Sequence, residues 1–325
     1  MKTDNRKFGL ISILKLTIPS IIMMSFMSLY TMVDGAFVSR FVSTDALSAT
    51  NIVFPFINFM IGISVMIASG GCALVMKKLG EGKEEEARKD FSLIITFALI
   101  ISIAITILGI VFIDPIIRFL GSTDILYEYC KDYLFYMILF AVPTILKFIF
   151  EQFLIAINKA GLALTLSFFG GILNIILDYL FIGVLGFGIK GAAIATNLGY
   201  AIPALVGLII FFSKKNVLYY EKPSKDFKVI LKSCYNGCSE MISQVSNGII
   251  TFLFNLATLK LMGEDGVAAI TVILYIQFLV SSVFIGYSMG IAPKISFYYG
   301  NEDKNMLKKI IGNSLKFIWG ASILI

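Results

Sequence analysis

Four polar residues that lie within apolar stretches could together bind a small cation: Asp34, Asn174, Asp178 and Thr196. Asn174 and Asp178 are four residues apart, a spacing that puts both side chains on one face of a helix. A glycine-rich turn centred near Phe187 follows, with Asp178 nine residues before that centre and Thr196 nine residues after it. At about 1.5 Å per residue, each lies about 13 Å from the turn, so the spacing predicts that they share one depth. Carboxylate, amide and hydroxyl oxygens suit a hard cation such as Na⁺, and a proton would serve as well.

Neither carboxylate has an obvious basic partner in the sequence. The positions at helical spacing around Asp178 are Asn, Ile, Phe and Ile, and the stretch around Asp34 is apolar. An ionisable group in hydrocarbon is expensive and is by default a functional hypothesis. The alternative is that hydroxyl and backbone groups satisfy each carboxyl, or that it stays protonated, which would still leave a protonatable site.

Two further polar pairs occur at helical spacing. Lys147 and Glu151 can neutralise each other, and we interpret them as a structural ion pair. Glu240 and Gln244 could contact a cationic substrate or face a polar gap between helices, and the sequence leaves both readings open.

Pro19 interrupts the first apolar stretch about four turns before Asp34. A proline within a helix removes one hydrogen bond and bends the helix. We therefore expect a bend at Pro19 that could move the carboxylate, although prolines in membrane helices often serve packing alone.

The composition predicts an all-α polytopic membrane protein. Of 325 residues, 58% are hydrophobic, and the mean hydropathy is +0.89. The net charge of +6 does not indicate nucleic acid, because the basic residues lie in loops between apolar segments. With no histidine, histidine-based zinc sites and Ser-His-Asp triads are excluded, and with no nucleophile motif we expect neither an enzyme nor a cofactor.

Nine apolar segments predict nine membrane helices: 10–34, 47–76, 91–113, 133–157, 162–182, 188–212, 234–259, 266–295 and 309–325. Twenty of the 27 basic residues fall in the loops of one side and five in those of the other. By the positive-inside rule, we expect a protein of the cell membrane whose N-terminus lies in the cytoplasm.

A polar, charged loop at 213–232 predicts a boundary between a six-helix lobe, 1–212, and a second lobe, 233–325. The second lobe repeats the first at an offset of 220 residues, which predicts a parallel repeat about an axis along the membrane normal. Residue 325 corresponds to residue 105, so the second lobe holds only three of six helices and the chain reads as truncated. The matching pairs are Asp45 and Asp265, Ala49 and Ala269, Gly70 and Gly290, Gly80 and Gly300, and Lys89 and Lys309.

These features together resemble the multidrug and toxic compound extrusion (MATE) family in its prokaryotic branch. The resemblance rests on Pro19 and Asp34 in the first helix, the Asn174-x3-Asp178 pair in the fifth and Thr196 in the sixth. It runs from Pro19 to the end of the sequence and includes the stretch VDGAFVSRFVSTDALSATNIVFPF.

The resemblance implies a twelve-helix protein with two six-helix lobes arranged in a V. It also implies antiport, in which Na⁺ or H⁺ enters as organic, often cationic, drugs leave, with those four residues as the cation site of the N-terminal lobe. We expect a monomer with small organic substrates and no nucleic-acid partner. Two departures stand out: three helices are absent, and Glu240 lies nearer the start of the seventh helix than the family's acidic residues.

A lipid-linked precursor flippase of similar architecture is the alternative function. Such a protein handles anionic pyrophosphate groups and would line its cavity with Arg and Lys. Here the unpaired buried charges are mostly acidic, which favours cation-coupled export. The absence of a GxxxxGK[ST] motif further indicates that an ion gradient, and not a nucleotide, supplies the energy.

Overall fold

The computed structural model describes residues 9–324, except for the side chains of positions 10 and 324 and of most positions between 255 and 275. Within that range the regular structure is helical. The helices are α1 (Leu10–Phe41), α2 (Thr44–Gly80), α3 (Glu84–Val111), α4 (Ile113–Phe119), α5 (Tyr127–Leu139), α6 (Ala141–Ala156), α7 (Ala160–Asp178), α8 (Ile189–Phe212), α9 (Lys228–Gly300) and α10 (Lys304–Leu324), with a π-helical turn at Tyr179–Val184.

Local sequence signals explain where α2 and α3 begin. The backbone N–H of Ala46 donates a 3.0 Å hydrogen bond to Ser43 Oγ, an N-cap that satisfies one of the free donors of the first turn of α2. Helix α3 opens with three glutamates at 84–86, where carboxylates favour the positive end of the helix dipole. Polar caps and apolar interiors thus divide the chain into membrane-length rods.

Six helices in the described part of the chain are long and apolar enough to cross a membrane, or seven if the bent pair α5 and α6 forms one span. The predicted segment 133–157 falls on that pair, which bends by 55° at Phe140 instead of forming one straight helix. Predicted segments 234–259 and 309–325 fall on the first part of α9 and on α10. The structure therefore confirms an all-α, multi-pass membrane protein.

Helix α9 differs from the prediction, because one helical assignment covers both predicted segments 234–259 and 266–295. It is not straight. The backbone of Gly237 packs against Met66 and that of Gly300 against Lys77. A straight helix would separate Gly237 from Gly300 by about 95 Å, whereas Met66 and Lys77 lie about 16 Å apart along α2. The chain therefore turns back on itself between these contacts, and α9 has two antiparallel arms, here the first arm (228–254) and the second arm (276–300).

The sequence has no proline at this reversal, but the polar stretch Gly-Glu-Asp-Gly at 263–266 falls at the boundary between the two predicted segments. The predicted break between segments 234–259 and 266–295 is wrong, because the helical assignment continues through it. The reversal follows from the packing of both arms on α1 and α2.

The ends of α2 and of the second arm contact each other in a way that follows the predicted repeat. Gly80 meets the backbone of Phe297, and Gly300 meets the backbone of Lys77. Both contacts are backbone to backbone, so a side chain at either glycine would collide. Adding 220 to 77 and 80 gives 297 and 300, so each contact is the image of the other.

The same relation holds further along the helices. A Cβ atom on Gly70 would lie 2.7 Å from the N atom of Gly237, and one on Gly290 would lie 3.0 Å from the Cα atom of Thr17. These contacts again exchange under the offset of 220. The first arm is thus the counterpart of α1 and the second arm the counterpart of α2. The pairs Asp45–Asp265 and Ala49–Ala269 fall on side chains outside the described residues.

The loops that the sequence assigns to one side meet at one end of the molecule. Arg88 Nε donates to Val217 O at 2.9 Å, and Lys159 Nζ donates to Asn216 Oδ1 at 2.6 Å. At the other end lie the ion pairs Lys131–Asp114 at 2.9 Å and Lys190–Asp132 at 3.2 Å. The alternation of loops between two sides is therefore present in the fold.

Candidate cation-binding site

Glycines bring α7 and α8 together at the candidate site. A Cβ atom on Gly170 would lie 2.5 Å from the carbonyl oxygen of Gly199, so the two backbones touch. Asn174 lies one turn beyond Gly170, and Thr196 lies three residues before Gly199. Asn174 Nδ2 consequently donates to Thr196 Oγ1 at 3.4 Å. The spacing about the glycine-rich turn predicted that Thr196 would be level with Asp178, whereas the hydrogen bond joins it to Asn174, one turn before Asp178 on α7.

Asp34 of α1 joins this pair through Asp178. The two carboxyl groups are close enough to interact with each other. Asp178 is fully buried, and Asn174 is 2% exposed. Two ionised carboxylates that lie near each other in a buried place repel, so a proton or a cation between them would stabilise the pair.

Several oxygens of this group have no hydrogen-bond partner among the described residues. They are Asp34 Oδ1, Asn174 Oδ1 and both carboxylate oxygens of Asp178. Buried polar atoms in native proteins nearly always have partners, so an unpartnered cluster indicates a role for the cluster. Oxygens of this type, on α1 and α7 with the Thr196 hydroxyl of α8 beside them, fit a Na⁺ ion or a proton.

The backbone changes character directly after Asp178. Helix α7 ends there, and Tyr179–Val184 forms a π-helical turn. Gly186 and Gly188 follow with φ of +66° and +60°, values that a residue with a side chain rarely adopts. Isolated π-turns often accompany functional sites, because they shift the register of the side chains that precede and follow them.

Two tyrosines that the sequence reading missed lie beside the carboxylates. The side chains of Tyr30 and Tyr200 line one small cavity. Tyr30 is on α1, one turn before Asp34, and Tyr200 is on α8, one turn after Thr196. The spacing of four residues from each site residue was the signal that could have identified them.

A small cavity adjoins the tyrosines and the site. About 10 Å³ of it is open to the centre of a water molecule, which is roughly the space for one water. Asn174 and Thr196 line it, and so do Tyr30 and Tyr200. The same cavity reaches Lys147, which belongs to the buried ion pair.

Lys147 and Glu151 form the ion pair that their spacing predicts. Lys147 Nζ lies 3.1 Å from Glu151 Oε2, and both side chains are almost wholly buried. Ser167 of α7 donates a short hydrogen bond to the other carboxylate oxygen of Glu151. The pair thus links α6 to α7 about two turns from Asn174, a proximity that the sequence did not reveal.

The remaining candidates lie elsewhere in the fold. Pro19 is partly buried within the continuous helix α1, next to Ile21, whose backbone packs against Gly286 of the second arm. Glu240 is exposed on the first arm, and Gln244 packs against Gly62 of α2. The structure does not bring Glu240 or Gln244 into the group around Asp178.

A multi-pass helical membrane protein with a repeated arrangement of helices and buried polar side chains in its first lobe has an architecture seen in membrane transporters. The family model of MatE matches residues 19–180 and 240–325. The chain belongs to the MatE family.

Relatives with names are similar over most of this chain. "Multidrug export protein MepA" of Staphylococcus haemolyticus is 25% identical over 283 residues, covering 86% of this chain and 62% of its own length. "Probable multidrug resistance protein YoeA" of Bacillus subtilis is 24% identical, covering 89% and 64%. A "FAD transporter" of Shewanella oneidensis is 24% identical, covering 94% and 69%. The chain thus spans about 62% of the length of such relatives.

Solved structures give the same result for the fold. An outward-facing MATE family multidrug resistance transporter is 25% identical and superposes with a TM-score of 0.89 over 96% of this chain and 70% of its own. A MATE structure in complex with MaD3S, also 25% identical, has a TM-score of 0.88 over 96% and 71%.

Proposed function

We propose that the protein is a secondary active antiporter that exports drugs or other small organic compounds in exchange for Na⁺ or H⁺. The observation that carries the proposal is the buried group of unpartnered oxygens shared by Asp34, Asn174 and Asp178, with Thr196 beside it. Cation binding lowers the free energy of a site of this kind, and cation release raises it. Exchange against substrate requires such a reversible site.

The substrate class follows from the relatives and not from the site. Two of the relatives above are named for multidrug export or resistance and one for FAD transport, so the shared property is a small organic solute. We propose a monomer in the cell membrane with its N-terminus in the cytoplasm. The proposed units are the lobe 1–212, the connecting loop 213–232 and the partial second lobe 233–325.

Nothing in the site favours the flippase alternative. Lys147 is the lysine that lines the cavity, and Glu151 neutralises it. An anionic pyrophosphate would meet the carboxylates of Asp34 and Asp178 beside it. A cationic or neutral solute avoids that repulsion.

Transport by the purified chain in liposomes tests the proposal. We expect an imposed Na⁺ or H⁺ gradient to drive ethidium movement, and the double variant Asp34→Asn, Asp178→Asn to abolish the gradient dependence. The matched control is Asp124→Asn, which changes an exposed carboxylate at the end of the molecule that holds the Lys131–Asp114 ion pair. Gradient-driven movement that survives the double variant would refute the assignment of these two carboxylates.

A further inference from the structure

A buried charge pair that the proposed mechanism does not use lies beside the cation site. The Lys147–Glu151 pair is removed from water, with 3% and 2% of its side chains exposed. An ion pair in such a place has a large desolvation cost and is weak grounds for stability by itself. Its position relative to the carboxylates suggests a different role.

Lys147 of the pair lines the same cavity as Asn174 and Thr196 of the site. Lys147 Nζ lies 3.4 Å from Met27 Sδ and 5.1 Å from the centre of the Tyr200 ring. Met27 is two turns before Asp34 on α1, and Tyr200 is one turn after Thr196 on α8. From the helical rise, about 10 Å separates the ammonium group from the carboxylate pair.

We infer that Glu151 sets the cation affinity of the Asp34–Asp178 site by neutralising Lys147. The ammonium group is a fixed cation next to a site for a mobile one. If it stood alone, it would repel Na⁺ or H⁺ at the carboxylates. Paired with Glu151, it adds almost no net charge there. This inference rests on the proposed function and makes Glu151 and Lys147 positioning residues of the cation site.

The size of the effect follows from Coulomb's law. An unpaired charge about 10 Å away, at an effective dielectric constant of about 20, changes cation affinity by roughly tenfold. The sign differs between the two partners. Removing the charge of Glu151 leaves Lys147 as an uncompensated cation. Removing Lys147 leaves only the anionic Glu151, which does not repel a cation.

Variants with opposite charge consequences test the inference. Glu151→Gln keeps the shape of the side chain and its oxygen for Ser167, and we expect it to weaken cation binding about tenfold. Lys147→Met should not weaken it, and the double variant Lys147→Met, Glu151→Gln should restore the unmodified affinity. A purely structural ion pair would instead give its largest stability losses in both single variants, with no such asymmetry in binding.

Carbodiimide labelling of the purified chain in nanodiscs gives the readout. The reagent modifies protonated buried carboxyl groups, and mass spectrometry quantifies it on peptides with Asp34 and Asp178. The Na⁺ concentration that half-protects these residues at fixed pH, and the H⁺ concentration that half-labels them without Na⁺, should each rise about tenfold in Glu151→Gln. Thermal unfolding of each variant reports its folding separately.

Lys294→Met is the matched control. Lys294 is a buried lysine that donates to Asn158, 16 residues and about 24 Å along α7 from Asn174. Its removal should leave both half-saturating concentrations unchanged. A Glu151→Gln variant with unmodified affinity would overturn the inference and leave the proposed function standing. Labelling of the unmodified chain that responds to neither ion would refute the proposed function itself.

Discussion

At the scale of single residues, the site is defined by buried oxygens without hydrogen-bond partners among the described residues. A buried acceptor without a donor costs about 1–3 kcal/mol, and a buried charge costs more. Four such oxygens cluster on Asp34, Asn174 and Asp178. The carboxylate of Asp34 has no equivalent 220 residues further on, where the sequence has Phe254.

Thr196→Val tests the contribution of the hydroxyl group. Valine has nearly the same shape but cannot accept the 3.4 Å hydrogen bond from Asn174. The loss of one hydrogen bond of about 0.5–1.5 kcal/mol predicts roughly three- to tenfold weaker cation binding, measured by the same carboxyl protection assay.

Thr165→Val is the control for that substitution. Thr165 lies on the exposed side of α7 and bonds only to Gly161 of its own helix among the described contacts. The cation affinity of the Thr165→Val variant should match that of the unmodified chain. Equal affinity in Thr196→Val would remove the hydroxyl from the site.

At the scale of helices, close backbone contact positions the site. Gly170 and Gly199 allow α7 and α8 to touch, and Gly171 accepts Phe26 of α1, whose ring a Cβ atom would approach to 2.6 Å. Small residues at such crossings are the usual means of bringing membrane helices together. The glycines therefore decide how near the carboxylates of α1 and α7 can come.

Gly199→Ala tests this spacing. The new Cβ atom would lie 2.7 Å from the carbonyl oxygen of Gly170, so the helices must separate. We expect a loss of about 1–3 kcal/mol in the free energy of unfolding, as for other overpacked sites, and weaker cation binding. Gly161→Ala, with no atom within 4 Å of its Cβ position, should be neutral in the same thermal unfolding experiment.

Pro19→Ala tests the proposed bend in α1. Alanine would restore the missing backbone hydrogen bond and favour a straight helix. We expect slower cation-driven ethidium transport with unchanged cation affinity at equilibrium, because the carboxylate would move less readily.

The control for Pro19→Ala is Pro55→Ala in α2, which removes a proline from a helix that carries none of the site residues. If both variants transport alike, or if Pro19→Ala changes only stability, then Pro19 serves packing.

At the scale of the whole molecule, the two lobes meet through symmetric contacts. The first arm packs along α2 and the second arm along α1, and the contacts exchange under the offset of 220 residues. Ser25 Oγ and Ser282 Oγ, 3.2 Å apart, lie on the second of these interfaces. A rigid-body movement of the lobes must open these contacts.

A cysteine pair at Ser25 and Ser282 tests that movement. In a chain whose four native cysteines are replaced by alanine, oxidation should join the pair and stop ethidium transport, and reduction should restore it. Each single cysteine variant should transport normally under both conditions. Full transport by the oxidised pair would show that this interface stays closed during the cycle.

Single cysteines test the orientation. Lys83→Cys and Asp124→Cys place exposed thiols at the two ends of the molecule. In intact cells, an impermeant maleimide should label position 124, whereas position 83 should require permeabilised cells. The reverse pattern would invert the proposed topology.

Much of this arrangement could be predicted from the chain alone. Hydrophobic periodicity sets the helices, because backbone groups in hydrocarbon must be satisfied within the segment. The spacing about the glycine-rich turn brought Thr196 to within one helical turn of its observed partner, and the offset of 220 residues indicated the parallel repeat. Each of these properties depends on distances along the chain.

Tertiary structure decided what depends on contacts between distant segments. Packing of the first arm on α2 and of the second arm on α1 fixes how α9 folds back on itself. The approach of α1 to α7 makes Asp34 face Asp178, and the crossing of α6 with α7 places Lys147 and Glu151 beside the cation site. Neither spacing nor composition encodes these distances, because they arise only when side chains from separate helices pack together in three dimensions.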